Sequence, residues 1–246
     1  MPEAKLFGYL YGYQGLLKGD LFPFPPTNDI DVNNLLDFGG SLLGNSRVKL
    51  TNKEDCVQRG LVADGDTPLE IAARQLQKDN INILHTIGGD DTNTMAAALS
   101  NYLLENNYEL TVIGLPKTVD NDIVPIKQSL GADTAAQQGS IFFNNIVNEN
   151  TSNPKTFIIH EVMGRHCGWL TAATARKYRS SLMNKDFNNA ALLSRDNWDI
   201  DAIYIPELKI DFESEVVRLK KCMDNKDTVN IFLSEGAGLS LIHISE

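Results

Sequence analysis

From about residue 64 onward the chain alternates short apolar runs with longer amphipathic stretches. Runs at 81–87, 110–115, 156–162, 202–205 and 229–233 are rich in Ile, Val, Leu and Phe and end at Gly, Pro or polar clusters, which predicts buried strands. Between them, 92–104, 132–147, 169–178 and 212–223 carry helical periodicity. Thr67-Pro68-Leu69-Glu70 predicts a helix start, with Thr as cap, Pro at the first position and Glu three residues after the cap; that helix runs to about Lys78. Asp211 is placed to cap the helix that begins at Phe212. Residues 20–34 contain Pro23, Pro25 and Pro26 and read as a surface loop.

Strands alternating with helices predict an α/β fold of mostly parallel sheets flanked by helices on both faces. Ligands of such sheets bind beyond the carboxyl ends of the strands. Four of the strands run into Gly88-Gly89-Asp90-Asp91, Pro116-Lys117-Thr118-Val119-Asp120-Asn121-Asp122, Met163-Gly164-Arg165 and Ser234-Glu235-Gly236. Charged and flexible residues therefore gather on one sheet edge.

Each segment has a chemical reading and a plain one. Gly88 and Gly89 let the backbone approach a ligand, the helix start behind them offers N–H groups to phosphate, and Asp90 suits Mg2+. The same residues also make a tight turn with an Asp cap. Asp91 tilts that balance, because adjacent carboxylates repel unless a cation or hydrogen bonds compensate. In the next segment a carboxylate can take a hydroxyl proton and Lys117 can neutralise a transferring phosphoryl group; otherwise it is a polar turn. Arg165 suits a sugar phosphate, or is a surface Arg past a strand end. Ser234-Glu235-Gly236-Ala237-Gly238 reads more readily as a glycine-rich loop than as a sugar site.

The formal net charge of −10 excludes the basic footprint of a nucleic-acid binder but not small phosphorylated ligands. No apolar run reaches membrane-spanning length, and residues 1–17 lack signal-peptide features. Cys56, Cys167 and Cys222 lie far apart, so neither a disulfide framework nor a zinc site is indicated. His85, His160, His166 and His243 show no metal spacing and read as core or surface histidines. Trp169 reads as helix packing and Lys220-Lys221 as a solvated helix face. A cytoplasmic protein with no membrane or nucleic-acid partner is the resulting expectation.

Taken in order, GGDDT, PKTVDND, EVMGR, Pro206-Glu207 and SEG resemble the phosphofructokinase family. Phe38-Gly39-Gly40-Ser41 to Ser46-Arg47 and Tyr11-Gly12-Tyr13-Gln14-Gly15-Leu16 are similar to its glycine-rich segment and its early turn. The resemblance extends to about Gly238. It implies a two-lobe architecture with the active site between the lobes: a phosphoryl-donor lobe over 1–131 and a fructose 6-phosphate lobe over 132–246. It further implies phosphoryl transfer to the C1 hydroxyl of fructose 6-phosphate, in glycolysis or gluconeogenesis, with Mg2+ and in a homo-oligomer. On that resemblance Asp120 is the catalytic base and Asp90 holds Mg2+. Thr118, Asp120, Met163, Gly164, Arg165 and Glu235 contact the sugar phosphate. Arg47, Gly88, Gly89, Asp91, Thr92 and Lys117 face the donor.

ATP-using members of the family usually carry Gly at the positions of Asp91 and Lys117, so the resemblance is to the pyrophosphate-dependent type. A carboxylate about 4 Å from the α-phosphate of ATP repels it by about 4 kcal/mol at an effective dielectric near 20, and pyrophosphate has no α-phosphate. Two alternatives are an ATP-dependent member and a non-catalytic regulatory subunit. Lipid and nicotinamide-nucleotide kinases share a GGDGT-like turn but not the other segments. The family's first strand with its glycine-rich loop, and the substrate-binding His and Arg residues beyond the Glu235 segment, have no counterpart in this sequence. Residues 241–246 do not resemble the family's continuation. The sequence therefore reads as a fragment, with exposed apolar surface and poor stability expected.

Overall fold

The computed structural model describes residues 4–25, 32–35 and 38–237, which divide into two units, Met1–Leu115 and Pro116–Glu246. Gly238 and residues 241–246, the last part of the glycine-rich loop and the expected foreign tail, lie outside the described residues, as does His243.

The first unit opens with an antiparallel pair, β1 (Phe7–Tyr9) and β2 (Leu21–Pro23), around the short helix α1 (Tyr13–Lys18). β2 falls where the prolines predicted only loop; Pro23 closes the strand at its end, where a missing N–H is tolerated. Then come α2 (Val32–Leu35), α3 (Lys53–Gln58), α4 (Pro68–Lys78), β3 (Ile83–Gly88), α5 (Asp90–Glu105) and β4 (Thr111–Pro116), whose last residue begins the second unit. Helical spacing builds the core. Ala72, Ala73 and Leu76 of α4 pack with Met95, Leu99 and Leu103 of α5, against Leu16, Leu17, Val48, Leu50 and Cys56. Thr67 is extended and Pro68 sits at the helix start as expected, but the Thr67 hydroxyl makes no capping bond. Glu70, the expected partner in that cap, pairs instead with Arg74 one turn on, at 3.5 Å. β3 and β4 form a two-stranded sheet. Thr111 N–H donates to Asn82 O at one end, and Gly114 packs beside Thr86 and Asn93 at the other, so both strands run the same way.

The second unit contains α6 (Ala132–Asn150), β5 (Thr156–Val162), α7 (Trp169–Leu182), β6 (Ala202–Tyr204), α8 (Phe212–Lys226) and β7 (Thr228–Ser234). The strands form one parallel sheet in the order β5-β7-β6, with Ile159 and Ala202 both opposite Ile231. β7 is the central strand and is buried almost throughout, with Val229, Ile231 and Phe232 covered on both faces and polar Asn230 buried among them. Phe143 of α6, Tyr178 of α7 and Phe232 of β7 form the aromatic centre, with ring separations of 4.7 Å (Phe143–Tyr178) and 4.4 Å (Phe143–Phe232). His160 packs 5.2 Å from Phe143 as a core histidine, and burial lowers its pKa. Asp211 caps α8 by accepting from Ser214 N–H at 3.4 Å and from the Ser214 hydroxyl at 2.6 Å.

Helices on both sheet faces were expected, and the second unit has them. Alternate residues still stay open on one strand of each sheet: Ile83 and Ile87 of β3 are 57% and 59% exposed, and Phe157 and Ile159 of β5 are 53% and 52%. In the first unit α4 and α5 pack on one sheet side only, over Leu84 and Val112. In the second unit α6 and α7 pack over Ile158, Val162 and Phe232, and α8 packs on the opposite face over Ala202, Val229 and Ile231, so only the β5 end of that face stays open. Among the described residues no helix is long and apolar enough to cross a membrane.

Candidate active site

In the first unit the candidate residues sit at the β3–α5 junction. Gly89 is the last residue before α5, and no side chain caps that helix. The N–H groups of its first turn therefore remain available to an anion. Asp90 and Asp91 occupy that turn, where carboxylates suit the helix dipole. Three contacts fix the loop. Asn93 Nδ2 donates to Gly88 O and Gly89 O, both at 2.9 Å. The Tyr13 hydroxyl donates to Thr92 O at 2.9 Å, and burial holds its pKa high, at about 12, so the donor keeps its proton. Lys49 Nζ donates to Asp91 Oδ1 at 2.8 Å.

That last pair changes the sequence-based electrostatics. Lys49 offsets much of the Asp91 charge, and both side chains are largely in solvent, so the bare repulsion of a nearby phosphate is strongly reduced. Asp90 is exposed and has no ion-pair partner among the described residues. Arg47 is likewise exposed and unpaired there. Among the described residues no group of three or more His, Cys, Asp or Glu side chains is placed to hold a metal. Asp90 thus fits Mg2+ as a carboxylate ligand to an ion held largely by phosphate oxygens and water, a common arrangement for this hard cation.

In the second unit the parallel register brings Val162, Ser234 and Tyr204 to one sheet edge. The segments after β5 and β7 interlock there. Glu235 N–H donates to Val162 O (2.8 Å), Gly236 N–H to Gly164 O (3.2 Å), and the Ser234 hydroxyl to Gly164 O (2.6 Å). A side chain at Gly236 would collide with Arg165 O, and Gly164 holds φ at +132°, so both positions require glycine. Arg165 Nη2 lies 3.2 Å from Glu235 Oε1, which joins two residues that the sequence places 70 positions apart. Met163 is exposed beside them.

The segment 116–130 of the same unit is folded back on itself. Leu130 N–H donates to Pro116 O at 3.0 Å, the Ser129 hydroxyl to Thr118 O at 2.5 Å, and Ser129 N–H to Asn121 Oδ1 at 2.7 Å. Asp120 N–H donates to Thr118 Oγ1 at 3.2 Å. One carboxylate oxygen of Asp120, Oδ1, is buried and accepts nothing. Burial, then Asp122, then Glu235 raise its pKa above the ordinary carboxylate value. A desolvated carboxylate with an unused lone pair is poised to accept a proton from a hydroxyl. Lys117 is exposed, with no ion pair among the described residues.

Sequence reasoning assigned no role to Lys49, Asn93 or Ser129, and named Tyr13 and Ser234 only as members of motif segments. Lys49 carries the faint signal of a second cation two residues after Arg47; the others are ordinary polar residues whose contacts arise only from folding.

The phosphofructokinase family model matches residues 2–244. The chain is 56% identical over 241 residues to a pyrophosphate–fructose 6-phosphate 1-phosphotransferase of Methylomonas methanica, covering 98% of this chain and 59% of that one. A protein of the same name from Propionibacterium freudenreichii is also 56% identical, over 238 residues, covering 97% and 59%. An ATP-dependent 6-phosphofructokinase of Borreliella burgdorferi is 30% identical, covering 95% and 46%. The chain thus spans about three fifths of the length of these two curated relatives. The fold matches the crystal structure of a pyrophosphate-dependent phosphofructokinase from Marinobacter aquaeolei with a TM-score of 0.69 at 21% identity, covering 98% of this chain and 56% of that one. With the whole ordered set of motifs, nearly the full length of the chain and the fold all in agreement, the chain belongs to the phosphofructokinase family.

Proposed function

We propose that the polypeptide containing this chain transfers a phosphoryl group from pyrophosphate to the C1 hydroxyl of fructose 6-phosphate, reversibly, and works in the cytoplasm as a homo-oligomer. The observation that carries the reading is Asp120, whose buried Oδ1 has no partner and whose pKa is raised. The donor assignment is supported by relatives at 52–56% identity named for pyrophosphate, against 30% for the ATP-dependent protein of Borreliella burgdorferi.

In this reading Asp120 takes the proton of the C1 hydroxyl. The freed oxygen bonds to the terminal phosphorus of pyrophosphate as the bridging P–O bond breaks, and orthophosphate leaves with the bond's electron pair. Lys117 neutralises charge on the transferring group. Arg165, Glu235, Met163, Gly164 and Thr118 hold the sugar phosphate. Arg47, Gly88, Gly89, Asp91 and Thr92 hold the diphosphate through a guanidinium and free helix N–H groups. Asp90 is the residue that would hold Mg2+, whose charge offsets that of the phosphate oxygens.

The test is a coupled assay for fructose 1,6-bisphosphate, with Mg2+ and fructose 6-phosphate, offering pyrophosphate or ATP. It is run on this chain and on a polypeptide of the relatives' length that contains it. Turnover with pyrophosphate alone supports the proposal. Turnover with ATP alone transfers the assignment to the ATP-dependent type. Binding of fructose 6-phosphate with no turnover in either polypeptide favours a regulatory subunit.

A further inference from the structure

The Pro206-Glu207 step after β6 has no part in the chemistry proposed above, yet its carboxylate reaches the loop that carries Arg165. Glu207 Oε1 accepts from Gly168 N–H at 2.8 Å. Gly168 is the residue before α7, and having no side chain it cannot cap that helix itself. A methyl group at Gly168 would lie 2.7 Å from Glu207 Oε2 and would collide with the Ile205 side chain, so the Gly168 backbone packs directly on these two side chains.

The loop between β5 and α7 is therefore held at two ends. Ser234, Glu235 and Gly236, from the end of β7, fix Val162 and Gly164. Glu207, from the end of β6, fixes Gly168. Between them the backbone N–H groups of Arg165, His166 and Cys167 have no backbone partner among the described residues. The position of Arg165 follows from the two ends. Glu207 also makes no ion pair among the described residues, so its charge sits at the positive end of α7.

We propose that Glu207 is a positioning residue for sugar-phosphate binding: it closes the far end of the Arg165 loop and so sets where the guanidinium stands. The link to the sugar phosphate rests on the function proposed above; the clasp itself does not. A purely structural helix cap would change thermal stability without selectively changing fructose 6-phosphate affinity.

Two measurements on wild type, Glu207→Ala and Glu207→Gln test it. Amide hydrogen exchange over 163–171 reads the clasp. Loss of a hydrogen bond to a charged acceptor should speed exchange there about 10-fold or more in Glu207→Ala. Glu207→Gln keeps a side-chain oxygen acceptor and should stay close to wild type. Fructose 6-phosphate binding, followed by Trp169 fluorescence in a Trp198→Phe background, reads the consequence. Glu207→Ala should weaken it about 10-fold, as for a lost charge-assisted contact, with pyrophosphate binding unchanged. Unchanged exchange in Glu207→Ala overturns the proposal. So does equal acceleration in both variants, or faster exchange with unchanged fructose 6-phosphate affinity. Faster exchange in Glu207→Ala alone, with no fructose 6-phosphate binding even in wild type, upholds the clasp and counts against the function proposed above.

Discussion

The two units treat their key carboxylates in opposite ways. Asp91 of the first unit is exposed and neutralised by Lys49 at 2.8 Å. Asp120 of the second is partly buried, has an oxygen with no partner, and has a raised pKa. The first arrangement suits recognition: its charge is compensated before any ligand arrives, and the uncapped N–H groups of α5 remain available to an anion. The second suits proton transfer, because a carboxylate stripped of hydrogen bonds holds a proton more readily than one in water. The comparison teaches that residue type alone does not separate a binding Asp from a basic one; the partners do.

The largest effect should come from removing that base. Asp120→Asn in a turnover-competent polypeptide should lower kcat by about 10²–10⁴, measured by the coupled assay, while leaving fold and substrate binding in place. It should not lower Tm. A carboxyl whose pKa is raised by folding contributes most stability when protonated and loses it as pH rises through the folded value, so at neutral pH the ionised Asp120 costs stability. The acid limb of the rate profile should lie above that of an ordinary Asp. Asp122→Asn should move it down, but by less than burial moves it up, since burial is the larger cause.

Next in size is the aromatic centre of the second unit. Phe143 is fully buried between Tyr178 and Phe232, and Phe143→Ala should cost about 3–5 kcal/mol in chemical denaturation. Loss confined to probes of the second unit, with the first still folded, would show that the two carry separate stabilities.

Smaller again is Lys49→Ala. An exposed ion pair contributes about 0–1 kcal/mol, so stability should barely change. ATP binding should weaken further, because Asp91 then presents its full charge; improved ATP binding would show that the pair excludes ATP by occupying space. The smallest stability effect is expected from Ile83→Thr with Ile87→Thr, within about 0.5 kcal/mol per site on an exposed face. Their readout is association: the variant should stay monodisperse in light scattering at concentrations where the parent chain self-associates through its open sheet faces.

Much of this was legible in the sequence. β5 was placed over the residues it occupies, and α4 and α8 began where Pro68 and Asp211 said they would, because apolar runs and cap residues act locally. The motif segments were legible as strand ends, but the four were expected on one sheet edge and fall on two sheets, after β3 and β4 in one and after β5 and β7 in the other, because periodicity does not say which strands pair. The hairpin of β1 and β2 was not, because three-residue strands leave too little pattern to see. The Lys49–Asp91 pair and the Glu207–Gly168 clasp join residues about 40 positions apart. No spacing rule reaches that far, so such contacts become visible only once the strands are in register. The exposure of Ile83 and Phe157 does not follow from the alternation of strands and helices, which predicts covered sheets.

The most direct test of the account is a calorimetric titration of the chain with Mg2+-pyrophosphate and with Mg2+-ATP, in wild type and in Asp91→Gly. Wild type should bind pyrophosphate more tightly than ATP, and Asp91→Gly should tighten ATP binding while keeping pyrophosphate. ATP binding by wild type at the strength of pyrophosphate, or no gain in Asp91→Gly, would contradict it.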